Sequence, residues 1–252
     1  MIGAVGLLST VATPGYLRGE ITAGWATSRT ATRHSVLVQL FLAAMAVAVL
    51  AANLGVPWVA VEATTIVTAF LVGHRRTRAA VEAAWKYVVI CSAGIALALL
   101  GTFLLNYAAA HAPGAPGLEL AELAAHAAGL DPGVTRIAVV LLILGFGTKA
   151  GLAPLHAWLP DAHSQAPAPV SADSGVLLSV AFYAILRVKV VADAALGTGF
   201  TQVLLAVMAL ASLALAASLL LAQRDYKRML AYCSPPRCVP MTAPLTVPMT
   251  RG

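Results

Sequence analysis

Charge is what this sequence has least of. Only 10% of its 252 residues are Asp, Glu, Lys or Arg, where a soluble domain carries roughly a quarter. No polar stretch is long enough to close a core of its own, which excludes a second, soluble domain. Cysteine is nearly absent as well. Cys91, Cys233 and Cys238 form neither a disulfide framework nor a metal-ligand spacing. There is no glycine-rich phosphate loop, no cysteine set for iron–sulfur and no histidine pair for haem. The chain is therefore expected to bind no cofactor or metal and to hold no redox centre of its own. Residues 1–17 lack a basic leader and a clear cleavage site, so they do not read as a signal peptide.

What is abundant is apolar. Sixty per cent of the residues are hydrophobic and the mean hydropathy is +0.86, which makes lipid the main solvent. The net charge of +6 would suggest nucleic acid in a soluble protein. Here the basic residues sit in short loops beside apolar runs, where they set membrane orientation. A span of the bilayer takes about 20 apolar residues, and six segments qualify: 36–54, 56–73, 85–107, 134–150, 171–192 and 201–222. The fourth continues through 151–167 in a broken, more polar form. Segment 1–17 is apolar too, and Pro14 and Gly15 are expected to end it early.

Arg18, Arg29 and Arg33 precede the first span. Arg75, Arg76 and Arg78 lie between the second and third, and Arg224, Lys227 and Arg228 follow the sixth. Alternating spans put all three clusters on one side, the cytoplasmic one. The 108–133 loop carries Glu119, Glu122 and Asp131 without Lys or Arg and belongs outside. Arg187 and Lys189, at the outer end of the fifth span, are the exception. The fold class is all-α, a polytopic membrane protein of about six transmembrane helices in the cell (plasma or inner) membrane.

Few residues inside these spans can carry chemistry. Glu62 costs about 2.5–3.5 kcal/mol at membrane depth, so it should face protein or water, as a protonatable site answering to a nearby cation. Reaching back to the headgroups is the alternative. Lys149 lies in Gly145-Phe146-Gly147-Thr148-Lys149-Ala150-Gly151-Leu152-Ala153-Pro154, where three glycines and a proline weaken the helix around a charge. Broken helices at membrane depth line protein or water-filled cavities. Equally, Lys149 on spacing alone could end its span and snorkel to water. His156 and His163 stand seven apart, hence on one helical face, beside Asp161 and Gln165. They can relay protons through water, or decorate an amphipathic loop. Lys86 follows Glu82 at i, i+4, which reads as a solvated pair or as a lysine turned inward at the head of a long uncharged run.

Three stretches carry a resemblance: Val59-Ala60-Val61-Glu62-Ala63-Thr64-Thr65, Glu82-Ala83-Ala84-Trp85-Lys86-Tyr87, and the long run from Gly147 to His163. They resemble the antiporter-like proton-channel family: membrane-arm subunits of complex I, Mrp-type antiporters and membrane subunits of group 4 hydrogenases. The Glu-Ala-Thr-Thr and Ala-Ala-Trp-Lys-Tyr forms are most similar to the hydrogenase-4 component F branch. The resemblance implies two inverted five-helix repeats, of which this chain holds the first and one helix of the second. It implies that Glu62 and Lys149 are the coupling pair of a proton relay that also draws on Lys86, His156 and His163. The function it implies is a proton-translocating, non-redox subunit of a redox-driven complex, such as an NADH:quinone oxidoreductase or a hydrogenase, with other membrane subunits as partners. A stand-alone monovalent cation/proton antiporter subunit and an inactive truncated fragment are the alternatives.

Two departures from the family pattern stand out. Ser171-Ala172-Asp173-Ser174-Gly175-Val176-Leu177-Leu178-Ser179 lacks the lysine or histidine many relatives carry there. Residues 233–252 turn proline-rich (Pro235, Pro236, Pro240, Pro244, Pro248), so the expectation is a partial antiporter-like domain over 1–232 and an aberrant, disordered tail after it. The topology is directly testable. A reporter inserted in the 108–133 loop should read as external and one at 74–79 as cytoplasmic, and finding both on one side would refute the six-span reading.

Overall fold

The computed structural model describes residues 1–222. Nine α-helices occur in this region: α1 (Ile2–Thr22), α2 (Ser28–Leu50), α3 (Gly55–Val72), α4 (Arg78–Ala110), α5 (Leu120–Ala125), α6 (Pro132–Lys149), α7 (Trp158–Gln165), α8 (Ala168–Leu196) and α9 (Thr198–Ala222). Six of them, α2, α3, α4, α6, α8 and α9, are long and apolar enough to cross a membrane, in the places the apolar runs predict. The expected tail from 233 onward and the cluster of Arg224, Lys227 and Arg228 lie outside the described residues.

Local chemistry sets three of the helix starts. Thr27 and Thr77 accept hydrogen bonds from the backbone N–H of Thr30 and Ala80, and Asp131 from that of Val134. Each caps a helix N-terminus whose N–H groups would otherwise lack partners. The helices consequently begin earlier than the apolar runs alone suggest. One expectation fails outright: Pro14 does not end the first helix, which runs on to Thr22 with the proline inside it. The reason lies beyond Pro14. Glu20, 4% exposed, accepts hydrogen bonds from Tyr16 (2.6 Å) and from Arg75 Nε (2.9 Å) beside α3. Ser9, one turn before the proline, donates to Asp173 of α8 at 2.8 Å. Anchors on both sides hold the helix across a residue that would break it in isolation.

The centre of the bundle is a close crossing of α4 and α6. A Cβ on Gly94 would lie 2.5 Å from Thr148, one on Gly101 2.8 Å from the Ala138 carbonyl, and one on Gly145 2.6 Å from the Gly94 carbonyl and the Ala98 backbone. In lipid, helices associate through van der Waals contact, and missing side chains let the backbones meet. α8 packs behind this pair with its inward face buried, and α2 and α3 pack together to one side. α9 lies against α8 and leaves most of its surface exposed.

The outer surface explains the two cations that break the charge rule. Arg187 donates to the carbonyl of Ala51, and Lys189 pairs with Asp193, which also accepts from Thr201. Both are consumed by protein contacts, so neither bears on orientation.

The crossing generates a prediction. Gly145→Ala would press a methyl against backbone that cannot move aside, which costs about 1–3 kcal/mol. Gly175→Ala, where nothing lies within 4 Å, should stabilise by up to about 1 kcal/mol. Thermal unfolding in detergent should separate them, and equal melting temperatures would refute the tight crossing.

Candidate functional site

α6 ends where its last turn meets Gly151. The Leu152 N–H reaches the Gly147 carbonyl at 2.8 Å and the Gly151 N–H reaches that of Thr148 at 3.3 Å. This is a Schellman closure, and it places Gly151 at φ +74°, in the left-handed region that glycine occupies without steric cost. Trp158 Nε1 adds a bond to the Thr148 carbonyl (2.9 Å), and Ser212 of α9 accepts the Ala153 N–H (2.8 Å). The Thr148 carbonyl and the amides of Gly151, Leu152 and Ala153 are thus satisfied inside the protein, as membrane depth demands.

Lys149 is the last residue of α6 and is wholly buried, which removes the alternative of a lysine snorkelling to water. Its ammonium donates to the Tyr87 hydroxyl at 2.7 Å and lies 4.6 Å from that ring's centroid. A desolvated cation–π contact contributes about 2 kcal/mol, and the carbonyl end of α6 favours a cation by a further few tenths to about 2 kcal/mol. Trp158 packs edge-on to Tyr87 at 5.0 Å, so the partner of Lys149 is itself held on two sides.

Glu62, partly buried on α3, accepts hydrogen bonds from Thr65 (3.1 Å) and from Ser92 of α4 (3.3 Å). It faces protein, as its cost at depth requires, and makes no direct ion pair with Lys149. Tyr87, which accepts from Lys149, and Ser92, which donates to Glu62, lie within six residues of α4.

The remaining predicted residues divide. His163 is buried 6.5 Å from the Trp158 ring, and neither ring nitrogen has a partner among the described residues. His156 is only half-buried and precedes α7. The two do not share a helical face, because the α6 break carries the chain in non-helical conformation up to Ala157. Lys86 does not turn inward. It is exposed and pairs with Glu82 at 2.7 Å and Asp161 at 3.3 Å, tying α4 to α7 at the edge of the site.

Two residues that sequence reasoning passed over belong here. Tyr87 stands inside the Ala-Ala-Trp-Lys-Tyr stretch, and the period Tyr87, Cys91, Ile95, Ala98 marks the buried face of α4. Asp173 on α8, 1% exposed, accepts from Ser9 while its Oδ1 has no partner among the described residues. A carboxylate inside an apolar span is itself a signal, overshadowed by the search for a lysine or histidine in that segment.

Comparison with known proteins gives concordant results. Residues 51–238 match the family described as NADH:quinone oxidoreductase/Mrp antiporter, transmembrane. The hydrogenase-4 component F homolog of Methylacidiphilum infernorum is 40% identical over 233 residues, 91% of this chain and 49% of that protein. An archaeal membrane-bound sulfane sulfur reductase superimposes with a TM-score of 0.77 at 27% identity, over 92% of this chain and 46% of its own. Respiratory complex I from Thermus thermophilus gives 0.70 at 27% identity, over 92% and 47%. The chain spans about half the length of these relatives.

The Lys149–Tyr87 contact can be weighed separately from any function. Tyr87→Phe removes the hydroxyl and leaves the ring, so it should destabilise by roughly 1.5–3 kcal/mol, the worth of a hydrogen bond to a charged group. Unfolding in detergent measures this, and an unchanged midpoint would show that the ring alone holds the ammonium.

Proposed function

The chain belongs to the NADH:quinone oxidoreductase/Mrp antiporter transmembrane family, and we propose that it moves protons as a subunit of a redox-driven complex in the cell membrane, through a relay centred on Glu62 and Lys149. One observation carries this reading: a wholly buried ammonium at a helix break, bonded to a neutral hydroxyl of α4, the helix whose Ser92 donates to the Glu62 carboxylate that the ammonium does not touch. A direct ion pair would lock both charges. Separated charges in a low dielectric instead transmit field changes strongly, so a shift at Glu62 alters the proton affinity of Lys149.

His163 and His156 extend the relay beyond the break, with buried ring nitrogens that no described side chain occupies. Lys86, with Glu82 and Asp161, is assigned the rim of this path, where a charge network exchanges protons with solvent. The domain over 1–232 then works as one antiporter-like unit beside other membrane subunits, with electron transfer left to those partners. Support comes from the family, whose relatives are named as subunits of multisubunit membrane complexes, and from the disposition of the buried charges.

The test uses membrane vesicles from cells in which the chain assembles with its partner subunits. Glu62→Gln and Lys149→Ala should each remove most of the proton pumping while the complex still forms. Lys149→Arg should likewise assemble without recovering full pumping, because guanidinium keeps its proton at every physiological pH. Full pumping in both of the first two variants would refute the relay.

A further inference from the structure

A second site lies at the cytoplasmic ends of α2 and α3, built from residues that the relay does not use. There a cavity of about 570 Å³ is bordered by Arg29, Arg33 and His34 of α2 and by His74 and Arg76 after α3. Its opposite wall is apolar and includes Leu37 and Phe70. Glu20 is the neighbouring carboxylate, and it is already engaged by His74 (2.9 Å) and by Arg75 (2.9 Å), which does not border the cavity. Arg29, Arg33 and Arg76 form no ion pair among the described residues. Arg33, which lines the cavity, rests its guanidinium 5.0 Å from the Phe70 ring centroid.

An independent observation marks the interior. His34 is 1% exposed, neither of its ring nitrogens has a partner among the described residues, and its ring meets His74 edge-on at 4.7 Å. Buried polar groups are normally satisfied, so a buried histidine whose one N–H donor lacks a partner, beside three arginines without an ion pair, is matched to an anion.

We propose that this cavity holds the phosphate headgroup of an anionic phospholipid from the cytoplasmic leaflet. Guanidinium forks pair with phosphate oxygens in bidentate geometry, and basic pockets between spans at this depth suit acidic headgroups. The apolar wall selects lipid over a soluble anion. Phe70 lines the cavity and is also 52% exposed on the bundle surface, and Val36 and Leu40 on α2 are 53% and 52% exposed. Acyl chains leaving the headgroup would lie along these side chains. The site would fasten the α2–α3 end to the inner leaflet, beside the Glu20 network that anchors α1.

Native mass spectrometry of the purified 252-residue chain tests this, with phosphatidylglycerol, phosphatidylcholine and inorganic phosphate as probes. Phosphatidylglycerol should be retained on the order of tenfold better than phosphatidylcholine, and Arg33→Gln/Arg76→Gln should remove that preference, each arginine contributing roughly fivefold. Arg136→Gln, on the opposite face, should retain it. If the double variant fails to fold, the exposed Arg29→Gln should still lower retention several-fold. The proposal is overturned if phosphatidylcholine binds as well, if folded arginine variants keep wild-type retention, or if millimolar phosphate alone displaces the lipid.

Discussion

The close crossing of α4 and α6 is the contact on which the remaining structure rests. Gly94, Gly101 and Gly145 bring the two backbones together where any side chain would collide. That proximity puts Tyr87 of α4 over the last residue of α6, so the buried ammonium of Lys149 finds a hydroxyl and an aromatic face instead of lipid. Without it, an ammonium at this depth would keep only the carbonyl end of α6 as compensation. The helix break follows from the same geometry. α6 must stop at Lys149 for α7 to fold back on α4, and Trp158, Lys86 and Asp161 are the points at which it does so.

The molecule treats its buried charges in two ways. Glu20, with Tyr16, His74 and Arg75, is fully engaged and serves as an anchor for the inner ends of α1 and α3. Glu62, Lys149, His163 and Asp173 are held more sparingly, by neutral hydroxyls or with atoms that no described side chain meets. Saturated pairs rigidify, whereas partly satisfied groups in a low dielectric keep a charge state that responds to neighbours. The division runs along the bundle, with the anchored network where α1 and α3 end and the sparingly held groups within the apolar helices.

Asp173 brings a buried carboxylate into α8, joined to α1 through Ser9. It is an acid near the start of α8, in a stretch (171–179) without lysine or histidine, and it faces α1.

Composition by itself determined the solvent and the six spans, because hydrophobic length acts on each segment independently of the others. It also located Glu62 and Lys149, since an ionisable residue in an apolar run is conspicuous wherever it packs. Pairing was another matter. Whether Lys86 turned inward, whether His156 and His163 shared a face, whether Pro14 ended its helix and which hydroxyl would meet Lys149 depended on contacts between segments far apart in sequence. Local preferences there are worth a few kcal/mol at most, and a glycine-mediated crossing or a buried carboxylate anchor outweighs them.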